Sequence, residues 1–181
     1  AARIIPLARQ DFDVPYTVKL IDSKEVNAFA LPGGPIYFYK GLVDITTSDD
    51  ELASVVGHEA AHVIKQHSAK QISDAQAKNI IAQIAFGRAS QLAQVAAGLA
   101  LQIQQLKYSR GDESESDEEG FRYLVAAKYD PDSMASMFRK LKQKGGGSSG
   151  PEWLQSHPVP DSRIRDAERR AAAYKQGRGT P

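Results

Sequence analysis

The segment that most constrains the fold of this chain is a long helix-forming stretch, DELASVVGHEAAHVIKQHS, which begins at residue 50. Ser48 lies just before it, and Glu51 follows Ser48 by three residues, a spacing that is typical of a capping box at a helix N terminus. The aspartates at 49 and 50 stand in the first turn, where the helix dipole favours negative charge. These signals predict a helix from about Asp49 to His67.

Three residues in the middle of this helix form an HExxH sequence: His58, Glu59 and His62. Four helical residues turn the chain by about 400°, so the two imidazoles lie on one face, where both can bind one cation. The carboxylate of Glu59 can then reach a water on that cation without binding the cation, as a general base must. The alternative is that both histidines are ordinary residues of an amphipathic helix and that Glu59 is a solvated acid.

A hydrolytic zinc site needs a third protein ligand, and the sequence limits where it can be. The chain has no cysteine, so any metal must be held by histidines and carboxylates. A metzincin pattern requires glycine and histidine where this chain has Lys65 and Ser68. Between Asp74 and Asp112 there is no acidic residue, which excludes a ligand at thermolysin-like spacing.

The first credible carboxylates lie in the acidic run SRGDESESDEEG, residues 109–120. Glu113 and Asp117 are four residues apart on one helical face, so one can bind the metal while the other approaches a ligand imidazole from behind. Glu115 and Asp117 remain alternatives to Glu113 as the ligand. The other acidic residues of the run are expected to form a solvated helix start.

The remaining patterns predict a small sheet at the front of the chain, followed by helices. Segments rich in β-branched and aromatic residues predict strands at 16–21, 27–31 and 36–39. Capping and periodicity predict further helices at about 112–128, from Asp130 and Pro131 to about Lys144, and from Asp161 to Gly177. The fold class is therefore α+β, mainly helical, with a small β-sheet packed near the HExxH helix.

Two segments are harder to assign. Residues 70–107 are rich in alanine and glutamine, which predicts one long helix or a helical hairpin inserted in the domain. Residues 145–151, GGGSSGP, are expected to form a flexible loop. The length of 181 residues and the 41% hydrophobic content favour a single globular domain over residues 1–181.

Charge and hydropathy argue against two classes of partner. Lys and Arg (23) nearly balance Asp and Glu (22) without a long basic block, so nucleic acid is not an expected partner. The apolar stretch 80–103 is interrupted by four glutamines, Ser90 and Arg88. An arginine at bilayer depth costs about 2.5 to 3.5 kcal/mol, so no transmembrane span is predicted.

Five segments occur together and in order: NAFALPGGPIYFYKGLVD, DELASVVGHEAAHVIKQHS, SRGDESESDEEG, YDPDSM and SHPVPDSRI. They resemble the corresponding segments of the gluzincin family that contains the CAAX prenyl endopeptidases and the HtpX-like proteases. The resemblance covers roughly Val26 to Arg165, and the combination is far more specific than HExxH alone.

The resemblance implies a zinc endopeptidase with one Zn²⁺ per chain. The family motif SRxxExxAD maps onto Ser109, Arg110, Glu113 and Asp117, with Ser116 in place of the usual alanine. Glu113 is then the third ligand beside the two histidines, and Asp117 orients a zinc-binding histidine. Glu59 takes a proton from the attacking water and passes it to the leaving amine.

The segment after Val26 is expected to bind substrate. In the family an extended peptide adds to a strand edge beside the cleft, which here would be lined by Asn27, Ala28, Phe29, Ala30, Gly33 and Gly34. The alternative is a β-hairpin in which Gly33 and Gly34 serve only the turn, and both can hold together.

Four further residues, outside the motifs above, have expected positions or roles of their own. His157 is either a loop residue or one that approaches the zinc, where it assists the oxyanion or occupies the open coordination site as a latch. Arg163 is either an oxyanion donor or, as is commoner at a helix start, a surface residue. Trp153 is expected to pack in the core, and His67 is expected on the surface because it falls about 140° from His62 around a continuous helix.

The resemblance also implies a setting. The chain lacks the transmembrane helices of the prenyl proteases, so it resembles the soluble, periplasmic or otherwise extracytoplasmic members. Their substrates are unfolded or misassembled polypeptides in envelope quality control, and envelope or membrane-associated proteins are possible partners. The alternative function is a chaperone-like binding module with zinc in a latched, rarely hydrolytic site.

Overall fold

The computed structural model describes residues 1–72, Gly98, 106–145 and 150–177. The strands in these ranges are β1 (Thr17–Ile21), β2 (Ala28–Ala30) and β3 (Pro35–Tyr39). The helices, numbered along the described ranges, are α1 (Ile5–Asp11), α2 (Lys40–Ile45), α3 (Asp49–Ile64), α4 (His67–Gln71), α5 (Arg110–Ala126), α6 (Ser133–Lys144), α7 (Trp153–Ser156) and α8 (Asp161–Lys175). The predicted α+β, mainly helical class is confirmed.

The three strands form one sheet in the order β1-β3-β2, with β1 parallel and β2 antiparallel to β3. β2 and β3 are joined by a tight turn in which Gly33 and Gly34 have φ values of 86° and 115°. Residues with a side chain rarely adopt such positive φ values. A Cβ at Gly34 would also lie 3.0 Å from the backbone nitrogen of Tyr16. The prediction of a β-hairpin in this segment is therefore confirmed. Strand β2 lies at an edge of the sheet and packs against α3.

Helix α3 crosses α5 at two glycines, and this crossing positions the HExxH residues. A Cβ at Gly57 would lie 2.9 Å from the carbonyl oxygen of Gly120, and one at Gly120 would lie 2.8 Å from the nitrogen of His58. The two backbones touch because neither helix has a side chain at this point. Glu113 and Asp117 stand seven and three residues before Gly120, on the same face of α5, so both are carried towards α3.

Apolar side chains from the sheet and the helices surround α3. Fully buried members of this core are Ile36, Leu42, Val56, Ala60, Leu124, Met137 and Trp153. Helix α1 was not predicted from the sequence, yet Ile4 and Ala8 bury their side chains completely and α1 packs on α3.

The N terminus of α3 differs in one detail from the predicted capping box. Ser48 is the N-cap, and its hydroxyl oxygen accepts from the Glu51 N–H at 3.2 Å. The Glu51 carboxylate does not return to Ser48; it accepts from the Thr47 N–H at 2.7 Å. Ser136 and Lys140 of α6 also donate to this carboxylate, at 2.7 Å and 2.6 Å, so a tertiary contact replaces the second half of the box.

The C terminus of α3 contradicts the predicted continuous helix to His67. α3 ends at Ile64, and Gln66 adopts a left-handed conformation with φ 55°, after which α4 begins at His67. The change of direction places His67 inside the molecule, where it is 2% exposed. The predicted surface position was wrong because it assumed that the helical phase of α3 continues past Gln66.

Other predicted boundaries shift by a few residues. α5 begins at Arg110 because Ser109 and Asp112 form a complete capping box, and α6 begins at Ser133. Apart from its ends and Gly98, the long helix or hairpin predicted at 70–107 lies outside the described residues, as does most of the loop predicted at 145–151. Within the described ranges, no helix has both the length and the apolar character that a membrane crossing requires.

Candidate metal centre

Four side chains turn their ligand atoms towards one point. His58 and His62 come from α3, Glu113 from α5, and His157 directly follows α7. The Nε2 atoms of His58 and His62 are 3.0 Å apart, and His157 Nδ1 is 3.3 Å from His58 Nε2. Glu113 Oε1 lies 3.3 Å from His62 Nε2 and 2.9 Å from His157 Nδ1. The four ligand atoms all lie within 4.8 Å of one another.

The chemistry of this donor set fits a metal ion. A neutral imidazole presents a lone pair on one ring nitrogen, and an ionised carboxylate only accepts, so hydrogen bonds among these groups leave acceptors facing acceptors. All four residues are at most 2% exposed, and buried polar groups without partners are unfavourable. Imidazole nitrogens and a carboxylate oxygen are ligands of zinc, and a cation among them would satisfy the whole set.

Burial and neighbouring charges give His62 and Glu113 the protonation states that bind a cation. Burial holds the pKa of His62 well below its usual value, and the nearby His58 and His157 act in the same direction. His62 is therefore neutral near pH 7 and offers a lone pair. Burial alone would raise the pKa of Glu113, but the contacts with His157 and His62 outweigh it and hold that pKa well below its usual range. Glu113 is therefore a carboxylate.

Asp117 lies behind the first histidine of the motif. Its Oδ1 is 3.0 Å from His58 Nδ1, while Nε2 of the same ring faces the centre. Burial acts to lower the pKa of His58, but the contact with Asp117 and the charge of Glu113 outweigh it and raise that pKa. A carboxylate behind a ligand imidazole fixes the ring orientation and makes the ring a better metal ligand.

Arg163 joins the two carboxylates of the centre. Its Nε and Nη2 donate to the Asp117 carboxylate at 2.7 Å and 2.6 Å, and its Nη1 donates to Glu113 Oε2 and to the Pro158 carbonyl oxygen. At 7% exposed, Arg163 is buried, unlike the surface residue that is commoner at a helix start. Its donors are directed at protein acceptors, so the geometry supports a positioning role better than an oxyanion role.

Glu59 lies beside the centre and is held by the segment that carries His157. Trp153 Nε1 donates to Glu59 Oε1 at 3.0 Å, and His157 Nε2 is 3.8 Å from the same oxygen. The Trp153 and His157 rings are stacked, with centroids 4.6 Å apart. Trp153 is completely buried, as expected for core packing, but the sequence carries no signal of its bond to Glu59.

His67 is the residue of the site that sequence reasoning missed. Its Nδ1 is 2.9 Å from His62 Nδ1, and its Nε2 is 3.5 Å from Glu115 Oε2. When His62 binds through Nε2 its proton sits on Nδ1, which can then donate to His67 Nδ1. The available signal was the scarcity of histidine, because the chain has only four and all lie in or against this centre.

The predicted substrate strand lies next to the centre. The carbonyl oxygen of Asn27 accepts from the Tyr39 N–H, and the Leu31 N–H donates to the Pro35 carbonyl oxygen, so these two residues of the β2 segment bond to β3. In an antiparallel pair alternate residues bond to the partner strand, and the N–H and C=O of Ala30 therefore point away from β3. No described strand pairs with that outer edge of β2. Ala30 and Gly33 line a cavity of about 60 Å³ together with His62.

Fold and site together define an HExxH metallopeptidase with a downstream glutamate, the gluzincin class. The model of peptidase family M48 matches residues 2–171, and the chain belongs to this family.

Several curated relatives carry functional names. The chain is similar to the putative beta-barrel assembly-enhancing protease of Vibrio cholerae, with 36% identity over 91% of this chain and 36% of that protein. It is similar to the beta-barrel assembly-enhancing protease of Escherichia coli K12, with 33% identity over 87% of this chain and 34% of that protein. It is also similar to the mitochondrial metalloendopeptidase OMA1 of Arabidopsis thaliana, with 34% identity over 84% of this chain and 31% of that protein. The chain thus spans about a third of the length of these relatives.

Proposed function

We propose that this chain is a single zinc metallopeptidase domain that hydrolyses peptide bonds within polypeptides. The observation that carries the proposal is the convergence of His58, His62 and Glu113, from two helices, with Glu59 beside them. A purely structural metal site has no need for a buried carboxylate next to its ligands. Membership of family M48 supports the same reaction.

The proposed ligands are His58, His62 and Glu113, and Asp117 positions the first of them. A zinc ion held by these residues would supply a Lewis acid that lowers the pKa of the attacking water and polarises a peptide carbonyl. Glu59 accepts the proton of the attacking water and later donates it to the leaving amine. Arg163 holds both carboxylates in place, so that Glu113 reaches the centre and Asp117 reaches His58.

The edge of β2 is the proposed substrate-binding strand, over Asn27, Ala28, Phe29 and Ala30, with Gly33 and Gly34 in the turn beyond. An extended peptide that pairs with the outward N–H and C=O of Ala30 would run beside His62. Main-chain pairing requires an extended segment without tertiary structure of its own. This requirement favours unfolded or misassembled proteins as substrates.

His157 is proposed to be a latch on the resting enzyme. Its Nδ1 lies among the ligand atoms, so that His157 would take the place of the water that a hydrolytic zinc site holds. Trp153, four residues earlier, is bonded to Glu59, so the same segment covers both the metal position and the base. Peptide hydrolysis then requires this segment to move away.

The proposed setting is protein quality control in the cell envelope, in a periplasmic or otherwise extracytoplasmic location. The support is the similarity to bacterial relatives that are named beta-barrel assembly-enhancing proteases. Envelope and membrane-associated proteins are the corresponding partners. The chaperone-like alternative is less favoured, because it gives no reason for Glu59 to lie beside the ligands.

The proposal is tested by separating metal binding from hydrolysis. The wild-type protein should hold about one zinc per chain and cleave casein. Glu59→Gln should retain the zinc and lose cleavage, because the amide cannot accept the proton. His58→Ala should lose both. Absence of stoichiometric zinc in the wild type would end the metallopeptidase proposal, and full activity in Glu59→Gln would remove its assigned role.

The latch is tested with His157→Ala. This variant should cleave casein faster than the wild type while it retains zinc, because three ligands remain. A variant that cuts more slowly than the wild type at equal zinc content would instead assign His157 a supporting role in catalysis.

A further inference from the structure

A second, larger cavity opens beside the metal centre. It lies between the start of α5, the segment 154–160 and α8, and has a volume of about 560 Å³, within the range of about 300 to 1,000 Å³ that is usual for ligand pockets. Glu113, Asp117 and Arg163 form part of its wall. A group bound in this cavity therefore lies next to residues that hold the metal centre together.

The walls of this cavity combine apolar surface with positive charge. Leu154, Pro158 and Val159 supply apolar surface, and Arg110 and Arg170 supply guanidinium groups. The cavity thus suits a ligand that has both an apolar body and a negatively charged head.

The negative charges of the wall are already paired. Arg163 bonds both Glu113 and Asp117, and the Asp166 carboxylate lies 2.9 Å from Arg169 Nη2. These carboxylates therefore already have cationic partners among the described residues.

The two remaining arginines lack such partners. Within the ranges that the structure describes, neither Arg110 nor Arg170 lies within ion-pair distance of a carboxylate. Arg170 is half-buried, and its Nη1 atom is buried with no hydrogen-bond partner among the described residues. A buried donor without an acceptor is unfavourable, and a planar guanidinium is well matched to the two oxygens of a carboxylate.

We infer that this cavity is a substrate subsite which binds a carboxylate of the polypeptide being cleaved, with Arg170 as the main partner and Arg110 at the rim. The carboxylate comes either from a glutamate or aspartate side chain near the scissile bond or from the C terminus of the substrate. The inference rests on the proposed function, since it makes the cavity part of the peptidase site. Arg170 here is a specificity residue and not a member of the metal centre.

The experiment compares matched peptides derived from one that the wild-type protein cleaves. One pair carries glutamate or glutamine near the scissile bond, and a second pair carries a free or amidated C terminus. The wild type should cleave the carboxylate-bearing member of one pair with a kcat/KM about tenfold higher, because only that member can accept charge-assisted hydrogen bonds from Arg170. The responding pair identifies the source of the carboxylate.

Arg170→Gln should abolish this preference, so that the carboxylate-bearing and neutral peptides are cleaved with the same kcat/KM. Arg165→Gln, an exposed arginine of the same helix that does not line the cavity, is the matched control and should keep the preference. Arg110→Gln is the second variant, should Arg170→Gln fail to fold, and should weaken the preference. If the wild type shows no preference in either pair, or if both cavity variants keep it, the subsite is refuted.

A binding measurement separates this inference from the proposed function. Fluorescence anisotropy with zinc-loaded Glu59→Gln should show about tenfold tighter binding of the carboxylate-bearing peptide, lost when Arg170→Gln is added. If no peptide is cleaved by the wild type but this difference in affinity is found, the proposed hydrolysis fails and the carboxylate site stands. If peptides are cleaved but neither affinity nor kcat/KM depends on the carboxylate, the proposed hydrolysis stands and the carboxylate site is refuted.

Discussion

Two buried polar clusters lie along α3, and they differ in how their groups are satisfied. Near its N terminus, the Glu51 carboxylate accepts hydrogen bonds from Thr47, Ser136 and Lys140, so one acceptor meets several donors. In its second half, His58 and His62 meet a carboxylate and another imidazole, so acceptors converge on acceptors. The first cluster is complete as protein alone, whereas the second has the donor set of a metal site.

The comparison teaches that burial of charge does not by itself mark a functional site. Glu51 is 4% exposed, and its pKa is shifted as the pKa values of the site residues are. Burial would raise the pKa of Glu51, but Lys140, Thr47 and Ser136 outweigh burial and lower that pKa to about 2. Its charge fixes α6 to the start of α3. The mark of the metal centre is instead the mismatch between donors and acceptors.

The largest effect is expected when a metal ligand is removed. Structural zinc sites bind with about 10 to 16 kcal/mol, so one of the three proposed ligands accounts for about 3 to 5 kcal/mol, and Glu113→Gln should weaken zinc binding several hundredfold or more. Competition with a chelator measures this affinity. Glu115→Gln, an exposed acid of the same turn, should change it little. A large loss in the control and none in Glu113→Gln would transfer the ligand role to Glu115.

The next effect concerns the Glu51 cluster and is one of stability. The carboxylate pKa falls from 4.5 to about 2 on folding, which corresponds to about 3 kcal/mol of stability above pH 4.5. Because the folded-state pKa is the lower one, this contribution is lost as the pH falls from 4.5 through about 2. Glu51→Gln should therefore unfold about 3 kcal/mol more easily at pH 6, in urea titrations of the metal-free protein, and the difference from wild type should vanish near pH 2. Zinc affinity at neutral pH should not change, and a parallel loss of zinc would show that the two clusters are coupled.

The smallest effect is expected behind the metal ligands. His67→Phe removes the acceptor for His62 Nδ1 and should weaken zinc binding about tenfold, the lower end of the range for such supporting residues. His67→Asn places an amide near the same position and should recover most of the affinity. Equal affinities in both variants would reduce His67 to a packing residue.

The local elements were predictable because they depend on neighbours in sequence. The N-cap at Ser48, the HExxH face of α3 and the hairpin around Gly33 all follow from backbone hydrogen bonding and φ preferences over a few residues. The same reasoning failed at His67, because a single left-handed residue, Gln66, ended the helical phase that the prediction assumed. It also missed α1, a helix of seven residues whose burial depends on its contact with α3.

The sequence by itself determined that two imidazoles and a neighbouring carboxylate share one helix, and it favoured the acidic run as the source of a further ligand. It left Glu113, Glu115 and Asp117 as alternatives until the family resemblance favoured one of them. Only the tertiary structure brings Glu113 to His157, 44 residues away, and to Arg163, 50 residues away. The physical reason is range: helical periodicity fixes which side chains share a face, but the glycine contact between α3 and α5 decides which faces meet.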